Sequence, residues 1–228
     1  MQVSGKNIWT SDTREAKAIQ LELAGKIIRQ GKVSGPKFIA GVDISVNRWR
    51  GTGTAAVVVI SYPSLEVAEI QTVNDKVTFP YVPGLLSFRE LPLILPVFEK
   101  LKTTPDLIIM DGQGVAHPRR IGIASHLGLA LGIPTIGCAK SRLIGEHKEP
   151  ALKKGSWAWL TDADEVIGAV LRTRERVKPV YVSTGHMINL ESAVHWVLTC
   201  CRGYRLPEPT RLAHQAAGGH LAANMKSQ

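Results

Sequence analysis

The alternation of apolar and polar positions divides the first part of the chain into one helix and three strands. Apolar residues recur at helical spacing after Asp12, and Gly31 is the predicted end of that helix. Residues 38–46, 54–60 and 65–73 are rich in strand-forming residues and are separated by short turn segments. Because short connections join antiparallel neighbours, the pattern predicts an antiparallel meander of three strands.

The pattern then changes to alternating helices and strands. Helices are predicted over residues 89–101 and 121–131, with apolar strands at residues 107–110 and 135–139. A strand, helix, strand order with apolar strands indicates a parallel crossover. Pro96 lies inside the first of these helices, so that helix is expected to begin later or to bend.

A last amphipathic helix is predicted to begin near Asn189, and the elements together predict an α/β fold with a mixed sheet. The chain has 228 residues, enough for a core that needs neither disulfides nor a structural metal. Hydrophobic residues make up 44% and charged residues 21%, as in globular proteins. We find no convincing linker, so residues 1–228 are expected to form one domain.

The net charge and the cysteines indicate which kind of partner and which cellular compartment suit the protein. The chain has 28 Lys and Arg against 19 Asp and Glu, a formal net charge of +9. This excess favours a polyanionic partner such as nucleic acid, with a solvated basic surface as the alternative. The longest apolar run, residues 55–60, is too short to span a membrane, and no secretory signal is recognised at the start. Three cysteines without metal-binding spacing favour a reducing, cytoplasmic location.

Two aspartates lie in or directly after apolar strands. Asp43 is inside the strand at residues 38–46, and Asp111 follows the strand at residues 107–110. A buried carboxylate without a partner costs several kcal/mol, so either a salt bridge or a metal must compensate. Two carboxylates at adjacent strand ends suit Mg²⁺. Glu90 is a candidate third ligand, and a favourable acid near a helix start is its alternative role.

The loop before the second helix holds an aromatic residue between two prolines. Pro80 and Pro83 restrict the backbone on either side of Tyr81 and Val82, which predicts a stiff loop. A rigid aromatic side chain can stack on a base or wedge into a base stack. Simple surface packing of the tyrosine is the alternative.

Two basic side chains are further candidates. Lys140 follows the strand at residues 135–139, which would place it at the same sheet edge as Asp111. A lysine there can stabilise a phosphate or position a water molecule. His214 lies in a helical segment near the end of the chain, and alone it is a weak signal.

Several motifs in the chain resemble those of the Endonuclease V family, the deoxyinosine 3′ endonucleases. The most specific runs F-P-Y-V-P-G-L-L-S-F-R-E over residues 79–90. The others are G-V-D-I-S from Gly41, D-G-Q-G from Asp111 with H-P-R from His117, A-K-S from Ala139, S-T-G-H from Ser183 and P-T-R-L-A-H from Pro209. They follow the family order over about residues 12–217.

The resemblance implies a ribonuclease H-like fold with a mixed five-stranded sheet flanked by helices. It implies binding of damaged DNA, duplex or single-stranded, that contains deoxyinosine. We expect a monomer, although the sequence itself does not give the oligomeric state. The implied reaction is hydrolysis of the second phosphodiester bond 3′ to the lesion, leaving 3′-hydroxyl and 5′-phosphate ends. Mg²⁺ is the implied cofactor, with Mn²⁺ as a substitute; the number of ions and the repair partners stay open.

The resemblance also implies roles for individual residues. Asp43 and Asp111 would bind the metal with Glu90 as the third acid, while His214 would order a water molecule and Lys140 would support the nucleophile or the scissile phosphate. Tyr81 would fill the gap left by the displaced lesion base. The implied lesion pocket and DNA contacts are Pro80, Val82, Pro83, Gly84, Leu86, Gly112, Gly114, His117, Gly122 and Ile123.

Three other functions compete with this one. An RNA endonuclease acting at inosine could share the same fold, and dependence on a 2′-hydroxyl would distinguish it. A non-catalytic nucleic-acid-binding module is disfavoured because Asp43, Glu90 and Asp111 are all present. A nucleotide-binding protein is disfavoured because no phosphate-binding Gly/Lys loop of the required form occurs.

Overall fold

The computed structural model describes residues 9–47 and 49–221. The helices are α1 (Thr13–Ala24), α2 (Leu86–Lys100), α3 (Ile123–Leu131), α4 (Leu190–Thr199) and α5 (Glu208–Ala217). The strands are β1 (Phe38–Asn47), β2 (Thr52–Ser61), β3 (Val67–Lys76), β4 (Leu107–Met110), β5 (Thr135–Ala139), β6 (Glu146–His147), β7 (Trp157–Asp162), β8 (Glu165–Leu171) and β9 (Val180–His186). None of the described helices is both long and apolar enough to cross a membrane.

All described strands belong to one mixed sheet in the order β3-β2-β1-β4-β5-β9-β8-β7-β6. β1, β2 and β3 form the predicted antiparallel meander, and β4 and β5 continue it in parallel with β1. The predicted mixed α/β fold is therefore confirmed. The predicted five-stranded sheet is too small, because the described sheet has nine strands: β9, β8, β7 and β6 extend it antiparallel beyond β5.

Apolar side chains on both faces of the central strands form two core layers. One layer packs the face that includes Ile39 and Ile109 against α4 and α5, through residues such as Val197 and Ala213. The other layer packs the opposite face against α2 and α3. Burial on both faces explains why the central strands are nearly continuous apolar runs rather than alternating ones.

The first helix is shorter than the sequence predicted, since α1 ends at Ala24 and not near Gly31. The segment after it forms backbone hydrogen bonds with a distant part of the chain. The Met187 N–H donates to the Ile28 carbonyl at 2.7 Å, and the Asn189 N–H donates to the Gly31 carbonyl at 2.9 Å. These tertiary hydrogen bonds replace the helical ones that the apolar spacing had suggested.

The second helix begins earlier than predicted, at Leu86, and continues through both Pro92 and Pro96. Proline lacks a backbone donor and disfavours a helix interior by about 3 kcal/mol. Neither proline is fully buried, whereas Leu91 and Phe98 pack into the core. Burial of the apolar face therefore outweighs the local cost of the prolines.

Candidate active site

The two aspartates predicted from the strand pattern lie side by side. β1 and β4 are parallel neighbours with Val42 opposite Met110, and the Asp111 N–H donates to the Val42 carbonyl at 3.1 Å. The next residue of each strand is thus an aspartate at the same edge of the sheet. Asp43 is only 8% exposed, so its negative charge is poorly solvated. The free-energy cost of burying this charge, and of its repulsion with Asp111, has to be offset by nearby positive charge or hydrogen bonds.

Basic and imidazole side chains from other elements meet these carboxylates. His214 on α5 lies with Nδ1 2.6 Å from Oδ2 of Asp43, and the Lys140 ammonium forms an ion pair with Asp111. The ligand atoms of Asp43, Asp111 and His214 all lie within 4.8 Å of one another. The two carboxylates offer oxygen ligands of the kind that suit a divalent cation such as Mg²⁺ or Mn²⁺, and the imidazole lies beside them.

A glycine in β1 allows α5 to reach the carboxylates. A Cβ atom on Gly41 would lie 1.9 Å from the Pro209 carbonyl oxygen, far closer than a side-chain contact permits. The start of α5 therefore packs directly on the backbone of β1, two residues before Asp43 in the same strand. This close approach is what brings His214 over the Asp43 carboxylate.

Glu90 lies on α2 and, although it is outside the three-residue cluster, the cluster's charges act on it. Burial, followed by the negative charge of Asp43, raises the pKa of Glu90 to about 8, and Asp111 adds to the effect while Arg89 opposes it. The pKa of Asp43 is also raised, first by burial and then by Asp111. The carboxyl groups crowd together, and a bound cation would relieve that repulsion.

Replacing Glu90 by glutamine is expected to stabilise the metal-free protein at alkaline pH. In the folded protein the pKa of Glu90 is about 8 against an ordinary 4.5, so the folded state holds a proton that the unfolded state releases. Wild-type stability therefore falls as the pH rises from about 4.5 to about 8. Urea unfolding with a chelator should show Glu90→Gln more stable by up to about 5 kcal/mol at pH 8.5, with little difference at pH 4.5. A constant difference across that range would contradict the burial argument.

A cavity of about 410 Å³ adjoins the acidic cluster. Eight of the predicted pocket residues line it: Val82, Pro83, Gly84, Leu86, Gly112, His117, Gly122 and Ile123. Tyr81, Asp111 and Lys140 are also part of its wall. The cavity thus connects the loop that carries Tyr81 with the edge of the sheet that carries the carboxylates.

Two predicted pocket residues do not line this cavity. Pro80 is exposed on the outer side of the loop. Gly114 is buried behind the cavity, where an added Cβ atom would lie 2.1 Å from the Thr184 carbonyl oxygen. Its glycine identity is explained by contact with β9, which leaves no room for a side chain.

Sequence reasoning missed eight residues of the cavity wall: Gln20, Ser87, Gln113, Ile121, Ala139, Ser141, Arg142 and Leu143. Gln113 and Ser87 stand next to predicted pocket residues, and that neighbourhood was an available signal. Gln113 Nε2 donates to the Ser141 carbonyl at 2.9 Å and fixes the wall beyond Lys140. Among the described residues, Gln113 Oε1 and Ser87 Oγ are buried without a hydrogen-bond partner.

The loop between β3 and α2 is held by hydrogen bonds to one carbonyl. The Gly84 carbonyl accepts from Gln20 Nε2 at 3.0 Å, from His117 Nε2 at 3.0 Å and from Arg119 Nη2 at 2.7 Å. Burial lowers the pKa of His117 to about 4, with nearby Arg119 contributing, so the ring is neutral at pH 7. Nδ1 of the same ring accepts from the Arg119 backbone N–H at 3.2 Å, which leaves Nε2 as the donor.

Apolar residues anchor the same loop on both sides of its tip. Phe79 and Leu85 are buried with Ala16 and Phe88, whereas Tyr81 is 67% exposed. The tip is therefore held between fixed ends, and its aromatic side chain projects toward solvent beside the cavity. This arrangement agrees with the stiff loop that the two prolines predicted.

Comparison with known proteins is consistent with this arrangement of carboxylates, cavity and loop. A sequence profile described as Endonuclease V matches residues 21–215. The Endonuclease V of Dehalococcoides mccartyi is 53% identical over 209 residues, which cover 92% of this chain and 94% of that protein.

Solved structures of the same name superpose closely. The crystal structure of Endonuclease V from Streptomyces avermitilis has a TM-score of 0.89 and 40% identity, covering 96% of this chain and 97% of that one. Endonuclease V of Ciona intestinalis, in complex with a 24mer DNA containing an inosine followed by a ribo-adenosine, has a TM-score of 0.81 and 31% identity, covering 90% and 95%. The profile match and these relatives extend over nearly the whole chain, and the chain therefore belongs to the Endonuclease V family of nucleases.

Proposed function

We propose that the protein is a DNA repair endonuclease that binds deoxyinosine and hydrolyses the second phosphodiester bond 3′ to it, leaving 3′-hydroxyl and 5′-phosphate ends. The observation that carries the proposal is that the carboxylate cluster adjoins a cavity of about 410 Å³, large enough for a displaced base, beside an exposed aromatic residue. The Ciona intestinalis relative bound to inosine-containing DNA supports the choice of lesion. Family membership supports the reaction class.

In this proposal Asp43 and Asp111 would hold Mg²⁺, or Mn²⁺ in its place, with Glu90 as the third acid. When bound, the cation makes water a stronger nucleophile and neutralises charge on the phosphate. Oδ2 of Asp43 already contacts Nδ1 of His214, so the imidazole fixes the orientation of the carboxylate. His214 orders the attacking water, a role for which its exposed position on α5 gives access.

Lys140 acts on the phosphate. Its ammonium lies beside Asp111 and on the cavity wall, at the boundary between the carboxylates and the space for the displaced nucleotide. A positive charge at that place stabilises the negative charge that develops on phosphate oxygens during hydrolysis. Asp111 keeps the ammonium in position before the substrate binds.

Lesion selection follows from the hydrogen-bonding pattern of the base. Hypoxanthine carries an oxygen acceptor at the position where adenine carries an amino donor. A wall that presents backbone N–H donors accepts the first base and disfavours the second. We assign this wall to the backbone around Gly84, Leu86 and Gly112, where the absence of bulky side chains at the two glycines allows close approach.

Replacing Tyr81 by alanine is expected to weaken binding of deoxyinosine duplex by about tenfold or more, because base–aromatic stacking contributes about 1–3 kcal/mol. Single-turnover cleavage at saturating enzyme should fall less, since Tyr81 does not belong to the carboxylate cluster. Tyr81→Phe keeps the ring and should bind nearly as wild type does. Equal binding of the duplex by Tyr81→Ala and wild type would refute the wedge role.

The central test is to map the cut in a labelled duplex with a single deoxyinosine after incubation with the protein and Mg²⁺. We expect one nick, at the second bond 3′ to the lesion, and none in a matched duplex that contains deoxyadenosine. Chelation should abolish the nick, and Mn²⁺ should restore it. A cut at another position, or none, would overturn the proposed reaction.

An inosine-specific RNA endonuclease is the second candidate, because the DNA in the Ciona intestinalis complex carries a ribo-adenosine after the inosine. The same mapping with one ribonucleotide after the lesion separates the two functions. Cleavage that requires the 2′-hydroxyl would favour RNA, whereas equal cleavage of the all-deoxy strand favours DNA repair. A non-catalytic binding module would cut neither strand.

We further propose that the chain acts as a single-domain monomer in the cytoplasm. The thiols of Cys138, Cys200 and Cys201 are all buried and free, which suits a reducing compartment. Sedimentation of the protein alone and with DNA would test the monomer.

A further inference from the structure

Two exposed basic loops lie next to each other beyond Lys140, and we call them the basic platform. They are residues 148–156, which precede β7, and residues 172–179, which connect β8 to β9. Together they contain seven Lys and Arg against two acids, Glu149 and Glu175. The exposed cations are Lys148, Lys153, Lys154, Arg174, Arg176 and Lys178.

The sheet places the platform at the same edge as the carboxylates. Ala139 at the end of β5 pairs with Tyr181, Val180 pairs with Leu171, and Leu171 pairs with Trp157. The end of β5, the start of β9, the end of β8 and the start of β7 therefore stand in a row. Since neighbouring strands are about 4.8 Å apart, the row extends roughly 14 Å sideways from the strand that leads to Lys140.

Hydrogen bonds attach the platform to the active-site edge. Arg205 Nη2 donates to the Lys140 carbonyl at 2.6 Å and to the Pro179 carbonyl at 2.8 Å. Thr173 Oγ1 donates to the Arg205 carbonyl at 2.5 Å. One arginine thus connects the residue that faces the scissile phosphate with both ends of the second platform loop.

The two loops are also fixed to each other. The buried Arg172 donates to the carbonyls of Ala151 and Pro150 at 3.2 and 2.9 Å, to the Val177 carbonyl at 2.5 Å and to Glu149 at 2.7 Å. This single guanidinium therefore donates hydrogen bonds to both loops. It also neutralises Glu149, one of the two acids of the platform. The platform is therefore a built surface rather than two independent flexible loops.

The exposed charge of the platform is largely unneutralised. Within residues 9–47 and 49–221, Glu175 forms its salt bridge with Arg176 at 3.8 Å, and no salt bridge involves Lys148, Lys153, Lys154, Arg174 or Lys178. Like charges held close together cost free energy unless an anion binds. A nucleic-acid strand that occupies the adjacent active site is negatively charged, and it can continue along the row of strand ends onto the platform.

We propose that the basic platform binds the phosphates of the substrate strand on one side of the cut, independently of sequence and lesion. This inference rests on the proposed function, which places the scissile phosphate at Lys140. Phosphates advance about 3.4 Å along the helix axis per nucleotide, so a reach of roughly 14 Å corresponds to about four nucleotides from the cut. The platform would then supply affinity and register, while the cavity supplies lesion selection.

The test is the affinity of Lys153→Glu/Lys154→Glu for duplexes trimmed stepwise from either side of the cut. With long flanks we expect the variant to bind at least tenfold more weakly than wild type, equally with and without deoxyinosine. The slope of log affinity against log salt concentration should become shallower by an amount that corresponds to about two phosphate contacts. Trimming one flank to within three base pairs of the cut should abolish the difference, whereas trimming the other should not. Cleavage of the long deoxyinosine duplex at saturating variant should keep the wild-type rate.

The matched control is Lys100→Glu/Lys102→Glu, which makes the same charge change at the end of α2 and just after it. These residues precede β4, at the opposite end of the strands from the carboxylates. The platform assignment fails if the control loses as much affinity, if the platform variant loses none, or if its loss is the same on every duplex length. The proposed function can fail separately. If wild type leaves deoxyinosine DNA uncut but the flank-dependent loss is seen, the platform stands and the proposed reaction does not.

Discussion

Asp43→Asn should reduce single-turnover cleavage of a deoxyinosine duplex in Mg²⁺ by at least about a thousandfold, equivalent to roughly 4 kcal/mol of transition-state stabilisation. The substitution keeps the volume of the side chain and the oxygen that accepts from the Ile44 N–H at 2.8 Å. It removes the charge that would bind the cation and the acceptor that meets His214. DNA binding in Ca²⁺ or chelator should persist, because the cavity wall and the basic platform are untouched.

The control for this loss is Asp75→Asn, which removes one carboxylate at the exposed end of β3. Its cleavage rate should match wild type within about twofold. Near-normal cleavage by Asp43→Asn would show that the cluster of Asp43, Asp111 and His214 is not the reacting centre. The cavity would then have to serve another chemistry.

Gly41→Ala is expected to cause a large loss of stability. The added Cβ atom would stand 1.9 Å from the Pro209 carbonyl oxygen and 2.6 Å from the Thr210 nitrogen, which are backbone atoms and cannot rotate away. Either α5 moves off the sheet or β1 shifts, at a cost of about 3 kcal/mol or more. Movement of α5 would also carry His214 away from Asp43, so cleavage should fall even in the folded fraction.

Urea unfolding of Gly41→Ala and Gly25→Ala measures this effect against a matched substitution. Gly25 caps α1 in a right-handed conformation, and an added Cβ atom there would meet its nearest neighbour at 3.7 Å. Gly25→Ala should therefore change stability by less than about 1 kcal/mol. Equal stability of the two variants would mean that the contact between α5 and β1 adjusts easily and does not position His214.

The strand pattern predicted the centre of the fold because the central strands are buried on both faces. Residues 38–46 and 107–110 could be recognised as apolar runs, and each placed an aspartate at the same edge of the sheet. The strand at residues 135–139 also placed Lys140 at that edge, beside Asp111. His214 was assigned a role only through the family motifs, and the structure supplied the distances that bring these side chains together.

Two of the missed strands, β6 and β7, lacked a strong local signal, whereas residues 166–171 of β8 form an apolar run that could have been recognised. β6 has two residues, and the outward side chains of β7 include the exposed Trp157 and Trp159, so neither shows the usual apolar run. The true end of α1 depends on hydrogen bonds to residues 187–189, which are distant in sequence. Gln20 could not be predicted from the local sequence either, because its place in the cavity wall depends on hydrogen bonds with Gly84 and Arg119, which are distant in sequence.

The contact of α5 with β1 also bears on what a damaged or incomplete copy of the protein can do. Asp43 comes from the first strand, and His214 comes from the last described helix. A fragment that ends before α5 would keep the carboxylates but lose the imidazole and the helix that covers β1. Proteolysis in the loop before α5 should therefore lower the cleavage rate, even though every carboxylate of the cluster remains in the larger fragment.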